Sequence, residues 1–438
     1  MNREAPTRRA VLSWALYDWA NSSFATTVMA GFFPLLFKDY WCRGLAATAS
    51  TFWLGVTVSL SSLVVALVAP VLGAMADRGG TRKRALALFA ALGVAGTAGL
   101  FFVAEGHWRL AAGCYALATV GFLCSLVFYD ALLVSVSTAA TVDRVSSLGY
   151  SLGYLGGGLL FLLNVVMVEQ PAWFGLASGT QAARVAFVSV AVWWAAFSVP
   201  LFRFVPEARS GPRLSPRQAA RDGFAQVRRT MRDVRRTRPV LLLLLAYWFY
   251  IDGVDTIIAM AVDYGKSVGF GTGELIKALL IVQFLGFPFA WLAGWVATRW
   301  GTQRTILACL ATYVLISFTA GGISLAPWHV GRLAVSKFYT VTVLIAAVQG
   351  GTQALSRALY SRLVPPERAA EFFGFYNMVG KFAAILGPLL MGSVTRLTGD
   401  PRAGIRSVAI LFIVGAVLLL RVKIPPQRLP GVAAGDGR

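Results

Sequence analysis

The chain has 438 residues, of which 57% are hydrophobic and only 13% charged, against the ~25% charged residues of an ordinary soluble domain. Its formal net charge of +21 would point to nucleic acid in a soluble protein. Here the apolar residues fall in membrane-length runs, so the composition excludes a soluble globular domain and the positive charge is assigned to membrane topology.

In chain order, spans are predicted near 13–37, 51–74, 85–104, 110–134, 149–168 and 184–205. Each is long enough to cross the hydrocarbon with its backbone hydrogen bonds satisfied internally. The first carries Asp18 and Asn21 and continues to Phe37, which reads as a retained helix rather than a signal peptide. A basic stretch follows at 206–239, then spans near 240–262, 274–297, 305–326, 332–355, 372–394 and 403–422. The expected fold is therefore an all-α integral membrane protein with two pseudo-symmetric six-helix halves, 1–205 and 240–438. Connections such as Glu105–Arg109 and Pro327–Gly331 are short, so consecutive helices are expected to be antiparallel neighbours.

The basic stretch has a pattern of its own. Phe224, Val227, Met231 and Val234 recur at helical spacing, with Arg221, Arg228, Arg229, Arg232, Arg235 and Arg236 on the other faces. That predicts an amphipathic helix in the membrane interface. Arg3, Arg8, Arg9, Arg82, Lys83, Arg84, Arg357, Arg362 and Arg368 fall on the same side as this linker, so the positive-inside rule places both termini in the cytoplasm. No nucleic-acid partner is expected.

Cys42, Cys114, Cys124 and Cys309 show no paired spacing, and His107 and His329 are isolated beside tryptophans. Neither a disulfide framework nor a metal site is expected. There is no phosphate-binding Gly-x-x-x-x-Gly-Lys-Ser/Thr motif, so ATP-driven transport would require a partner chain, and no cofactor is expected.

The halves repeat each other. Gly73, Asp77, Arg78 and Gly80, followed by Arg82, are matched at constant spacing by Gly294, Thr298, Arg299 and Gly301, followed by Arg304. The acid at Asp77 becomes Thr298. A weaker echo links Gly153, Gly157 and Gly158 to Gly387 and Gly392. Internal repetition of this kind is a mark of transporters.

The segment Gly73-x-x-x-Asp77-Arg78-x-Gly80-x-Arg82 resembles the signature loop between helices 2 and 3 of the major facilitator superfamily. WALYDWANSSFATTVMAGFFP, SLGYLGGGL, GGTQALSR and EFFGFYN resemble, in that order, the branch containing the autophagy-related vacuole effluxers and their bacterial relatives. The similarity runs from Trp14 to about Arg421. It implies a twelve-helix major facilitator fold around a cavity lined mainly by helices 1, 4, 7 and 10. It also implies alternating access, with the loop at Asp77 holding the halves together when the cavity faces outward. Export of amino acids by eukaryotic relatives makes an amino acid or related metabolite the inherited substrate. The Arg-, Gly- and Ala-rich composition suggests a high-GC bacterium, hence the cytoplasmic (inner) membrane, and the chain is expected to be a monomer.

Ionisable residues within spans are functional candidates because they are costly when unpaired. They are Asp18, Asp130, Asp252, Asp255, Lys337 and Lys381. Helical spacing puts Trp14, Asp18, Asn21 and Ser22 on one face of helix 1, and Trp248, Asp252 and Asp255 on one face of helix 7. Gln349, Thr352, Gln353 and Ser356 form a polar stripe on helix 10, and Asn377 lies one turn before Lys381. Asp18 and Asp130 also fit interfacial ion pairs, and Lys337 fits a snorkelling side chain. Asp252 and Asp255 are expected to share the cavity side and carry a proton, Asp255 foremost, unless a lysine holds them in a permanent structural pair. A secondary transporter is the leading reading, with a lipid flippase or a transport-inactive sensor or scaffold as alternatives. A membrane-embedded enzyme would need an acid/base or metal cluster that two isolated histidines do not supply.

Overall fold

The computed structural model describes residues 6–45, 47–79, 81–207, 229, 231–232, 234, 237–267, 269–322, 328–330, 333–383 and 386–423. The first half comprises α1 (Arg8–Trp41), α2 (Ala47–Gly79), α3 (Arg82–Phe102), α4 (Trp108–Val136), α5 (Val142–Glu169) and α6 (Gly179–Phe204). The second comprises α7 (Arg238–Ser267), α8 (Thr272–Trp300), α9 (Thr302–Ala320), α10 (Lys337–Leu363), α11 (Ala369–Ala383), α12 (Leu386–Thr398) and α13 (Pro401–Leu420). Among the described residues, 11 helices are long and apolar enough to cross a membrane. α11 and α12 together cover the remaining predicted span.

Local chemistry sets several boundaries. Thr7 Oγ1 accepts from the Ala10 N–H, Ser178 Oγ from the Gln181 N–H and Asp400 Oδ1 from the Arg402 N–H, which caps α1, α6 and α13. In α1, π-helical turns at Phe24–Phe32 and Phe37–Trp41 flank Pro34, whose missing N–H and ring disturb regular hydrogen bonding.

One boundary differs markedly from expectation. The tenth span was predicted at 332–355, yet α10 runs Lys337–Leu363. Before it, β1 (Trp328–Val330) and β2 (Leu333–Val335) form a small antiparallel hairpin. At the other end, hydropathy stops the span before Arg357, but the helix continues because that arginine is buried against the first half. Of the linker's apolar stripe, Phe224 and Val227 lie outside the described residues, whereas Val234 is buried.

Both ends of the described chain meet one face, called below the terminal face. The Arg9 guanidinium sits 3.5 Å from the ring centroid of Phe204, joining the start of α1 to the end of α6. Gln303 Nε2, at the start of α9, donates to the Leu419 and Val422 carbonyls at the end of α13 (2.6 and 3.2 Å). Leucines such as Leu60, Leu67, Leu389 and Leu420 are exposed on the outer perimeter. An apolar outside is expected where the solvent is lipid.

The halves join along two pseudo-equivalent seams, α2 against α11 and α5 against α8. The repeated glycine of the loop motif marks the close approach in both. A Cβ on Gly73 would lie 2.1 Å from the Ala370 carbonyl oxygen, and one on Gly294 would lie 2.5 Å from Ser147 Cβ. Absence of a side chain is what lets the helices touch. Gly73→Val is therefore expected to destabilise the closed seam by about 1–3 kcal/mol, the usual cost of overpacking. Thermal unfolding of purified protein in detergent checks this, and an unchanged midpoint would count against the seam.

Candidate functional site: a central cavity floored by a buried ion-pair cluster

A cavity of about 460 Å³ lies between the halves. α1, α4, α5, α7, α8, α10 and α11 all contribute lining residues, a wider set than helices 1, 4, 7 and 10. Toward the terminal face it ends on Arg357 of α10, which is only 2% exposed.

Arg357 is held entirely by first-half groups. Its Nη1 donates to Asp130 Oδ1 (3.1 Å) and Asp18 Oδ2 (3.4 Å). Its Nη2 donates to Asp18 Oδ2 (3.3 Å) and the Ser146 carbonyl (2.9 Å), and its Nε to Ser146 Oγ (2.9 Å). The guanidinium also lies 4.4 Å from the Tyr150 ring centroid and 4.9 Å from that of Trp14, within cation–π range. The acids have further support. The Tyr129 hydroxyl donates to Asp18 Oδ2 (2.7 Å), and Asn377 Nδ2 of α11 donates to Asp130 Oδ2 (3.2 Å). Charges are tolerated at membrane depth only when paired and hydrogen-bonded in this way.

Of the predicted site residues, Asp18, Asn21, Asp130, Asp255, Gln349, Gln353 and Asn377 line the cavity. Asp252 does not. It is fully buried, and its Oδ1 accepts from the Gly387 N–H at the start of α12 (2.9 Å). Residues three apart on a helix are offset by about 60°, enough to separate the two acids. The α7 face on the cavity is Tyr247, Ile251, Asp255 and Ile258, one residue round from the predicted Trp248–Asp252–Asp255 face. Lys337 is the first residue of α10 and is not on the cavity wall. Lys381 falls within α11, but its side chain lies outside the described residues. Thr352 and Ser356 turn away from the cavity: the Thr352 hydroxyl donates to the Val348 carbonyl, and Ser356 pairs with the Tyr250 hydroxyl at 2.6 Å.

Sequence reasoning missed Arg357, which was counted among the basic loop residues. A signal existed, because Arg357 continues the Gln349–Gln353 spacing by one more turn. Tyr150, Tyr154, Tyr247, Tyr376 and Gln283 also line the cavity and carried no distinguishing pattern in the sequence.

Nearer the terminal face, two staples cross the seams. In the first, Asp77 accepts from Arg82 Nε (2.6 Å) and from the Ala370 and Glu371 N–H groups (3.1 and 2.8 Å). The carboxylate thus caps the start of α11 across the seam, where helix N–H groups are unsatisfied and the dipole is positive. Arg82 Nη2 donates to the Pro366 and Glu367 carbonyls (3.0 and 3.2 Å). Gly80 and the Arg78 side chain lie outside the described residues.

The second staple uses other residues. Thr298 Oγ1 donates to its own helix at the Trp295 carbonyl (2.8 Å). The acid comes instead from Asp143 at the start of α5. It accepts from Arg362 Nη2 (2.6 Å) and from Thr302 Oγ1 (3.0 Å).

A family model described as "Vacuole effluxer Atg22 like" matches residues 42–138 and 134–428. The chain is 36% identical over 410 residues to an uncharacterized MFS-type transporter, YxiO, of Bacillus subtilis (strain 168), covering 93% of each. It is 25% identical over 313 residues to autophagy-related protein 22-1 of Penicillium rubens, covering 67% of this chain and 51% of that protein. The chain thus spans about half the length of this fungal relative. Among solved structures, it is similar to the human organic anion transporter MFSD10, with a TM-score of 0.70, 18% identity and coverage of 94% and 99%. It is also similar to the proton:xylose symporter XylE, with a TM-score of 0.68, 16% identity and coverage of 95% and 94%. These likenesses agree with the two-half helical architecture, and the chain belongs to the Atg22-like vacuole effluxer family, an MFS-type transporter branch of the major facilitator superfamily.

Proposed function

We propose that the protein is a secondary transporter that moves a small organic solute across the bacterial cytoplasmic membrane by alternating access. One observation carries this reading: the residue that floors the cavity, Arg357, is also an inter-half tie. Any ligand or proton that changes its partnership with Asp18 and Asp130 acts at once on binding and on closure. Both termini and the terminal face are cytoplasmic in this reading, so the described state is closed toward the cytoplasm. The protein acts as a monomer. An amino acid or related metabolite is the substrate that the resemblance to the vacuole effluxers implies.

Among the described residues two carboxylates share one guanidinium at the floor, which leaves one negative charge to be met by a proton or a cationic group. Proton coupling therefore centres on Asp18 and Asp130, with Asp255 on the opposite wall as a second proton site. Asp252, bound to the start of α12, is left out. The polar floor favours a solute over the flippase reading, in which a bilayer lipid would need a wholly apolar half-cavity.

Roles at the seams follow from the geometry. Asp77 and Arg82 hold α2 to α11, while Asp143 and Arg362 hold α5 to α10. Asp77→Asn weakens two charge-assisted bonds to helix N–H groups, whereas Thr298→Val removes a hydroxyl that donates to its own helix and accepts one long, exposed bond (3.5 Å) from Arg144 across the α5–α8 seam. In a chain with its four native cysteines replaced, Ser147→Cys reports opening of the terminal face, because Ser147 is buried in the α5–α8 seam. Maleimide labelling of that cysteine is expected to rise about tenfold with Asp77→Asn, in line with loss of one or two charged hydrogen bonds, and to change little with Thr298→Val. Equal effects would remove Asp77 from the gate.

Alternating access itself is tested by adding Ile345→Cys, on the cavity wall toward the opposite face. Variants that open the terminal face should raise labelling at position 147 and lower it at 345. Labelling that rises at both positions would indicate local unfolding and sink the transport reading.

Arg357→Ala strands two buried carboxylates and is expected to cost about 3–5 kcal/mol, as for other broken buried pairs. Arg357→Lys should not restore stability, since an ammonium cannot reproduce the fork that spans Asp18, Asp130 and Ser146. Thermal unfolding in detergent measures both, and a stable Lys variant would show that charge alone is what the site needs.

A further inference from the structure

The cavity's polar end differs from its walls in what it can offer a ligand. Every nitrogen of the Arg357 guanidinium already donates to a protein acceptor: Ser146, Asp18 or Asp130. It therefore has little capacity to receive a carboxylate or phosphate. Acceptors, by contrast, are left over. The hydrogen bonds to Asp18 from Arg357 and Tyr129 all fall on Oδ2, which leaves Oδ1 at the cavity floor for a donor. Asn21 lines the cavity beside it at 2% exposure, and its unpartnered amide nitrogen Nδ2 is a neutral donor, which suits a hydroxyl or ether oxygen on a ligand and adds nothing to the charge balance.

The remaining surface is suited to a different kind of group. Leu279 and Val282 of α8 and Phe338 and Ile345 of α10 make an apolar wall on the second-half side. Tyr150 and Tyr247 also line the cavity, and tyrosine rings attract cations through their faces; one face of Tyr150 already meets Arg357 and one of Tyr247 stacks on Tyr376. A surplus carboxylate oxygen, saturated guanidinium donors, aromatic rings and an apolar wall define a complementary ligand: a donor-bearing cation at one end and hydrocarbon at the other.

We propose that the cavity binds an amphipathic organic amine, its ammonium at Asp18 and its apolar body along α8 and α10. The ammonium supplies the charge that the two carboxylates and one guanidinium lack. A proton at the same carboxylate competes with it, so amine and proton exchange at one site. This inference rests on the cavity being the substrate site; it narrows the substrate class to amines with a sizeable apolar group and sets aside free amino acids, whose carboxylate the saturated guanidinium has little capacity to receive.

The test uses the purified full chain and four probes that vary the head and the body separately: phenethylamine, 2-phenylethanol, 3-phenylpropionate and ethylamine. Binding is read by ligand-dependent thermal stabilisation. Phenethylamine is expected to bind about tenfold or more tightly than the alcohol, the acid or ethylamine, the scale of a hydrogen bond to a charged group or of a buried ring. Asp18→Asn should abolish the preference for amine over alcohol. Leu279→Ser, which leaves the ion-pair cluster intact and serves if the Asp18 variant does not fold, should weaken phenethylamine several-fold and leave ethylamine unchanged. Equal or tighter binding of the acid or the alcohol overturns the proposal, as does equal binding of ethylamine or no binding of phenethylamine. Preference for the acid would defeat the amine assignment while leaving alternating access standing. Amine binding without reciprocal labelling at positions 147 and 345 would do the reverse.

Discussion

Burying a guanidinium at the junction of two helical bundles imposes conditions on everything around it. Arg357 comes from the second half, yet Asp18, Asp130 and Ser146, which hold it, come from the first. Neither half can satisfy its own charges at this depth, and unpaired charges in a membrane interior cost several kcal/mol. Closure of the terminal face is thus a requirement of the electrostatics as well as of packing. When the halves separate there, the three charges need water, a proton or a ligand in place of one another.

The same logic explains why the surrounding residues are unremarkable in type but tightly constrained in place. Tyr129 orients Asp18, and the indole Nε1 of Trp14 donates to the Tyr129 carbonyl at 3.0 Å. Gly149 leaves room for the Asp18 carboxylate, since a Cβ there would lie 2.6 Å from Oδ2. The Trp14 and Tyr129 rings stack at 4.5 Å between centroids and hold the Asp18 side of the cluster in place.

Pseudo-symmetry is kept in the backbone and abandoned in the charges. Gly73 and Gly294 occupy equivalent close approaches in the two seams. The staples beside them differ: Asp77 caps a helix of the other half, whereas Asp143 binds an arginine and a threonine of the other half. A helix crossing depends on shape, which duplication copies. An ion pair needs one acid and one base, and it can be supplied from any neighbouring element once the backbones are in position.

The sequence alone determined the membrane-spanning helices, the two halves, the repeated loop motif and the membership of a transporter family. The helices, halves and repeat follow from apolar run length, helical period and motif spacing, and the family from the resemblance of short segments, all of which are local along the chain. It also placed Asp18, Asn21, Asp130, Asp255, Gln349, Gln353 and Asn377 on helices that meet at one cavity. Tertiary structure alone decided that Arg357 belongs to that cavity, that Asp252 turns to α12, that α10 starts at Lys337 and that Asp143 replaces the acid missing at Thr298. Each of these depends on partners more than a hundred positions away in the chain, apart from the start of α10, where a strand pairing replaces helix. Hydropathy reads an arginine as the end of a span because it counts the cost of burial without the two carboxylates that offset it.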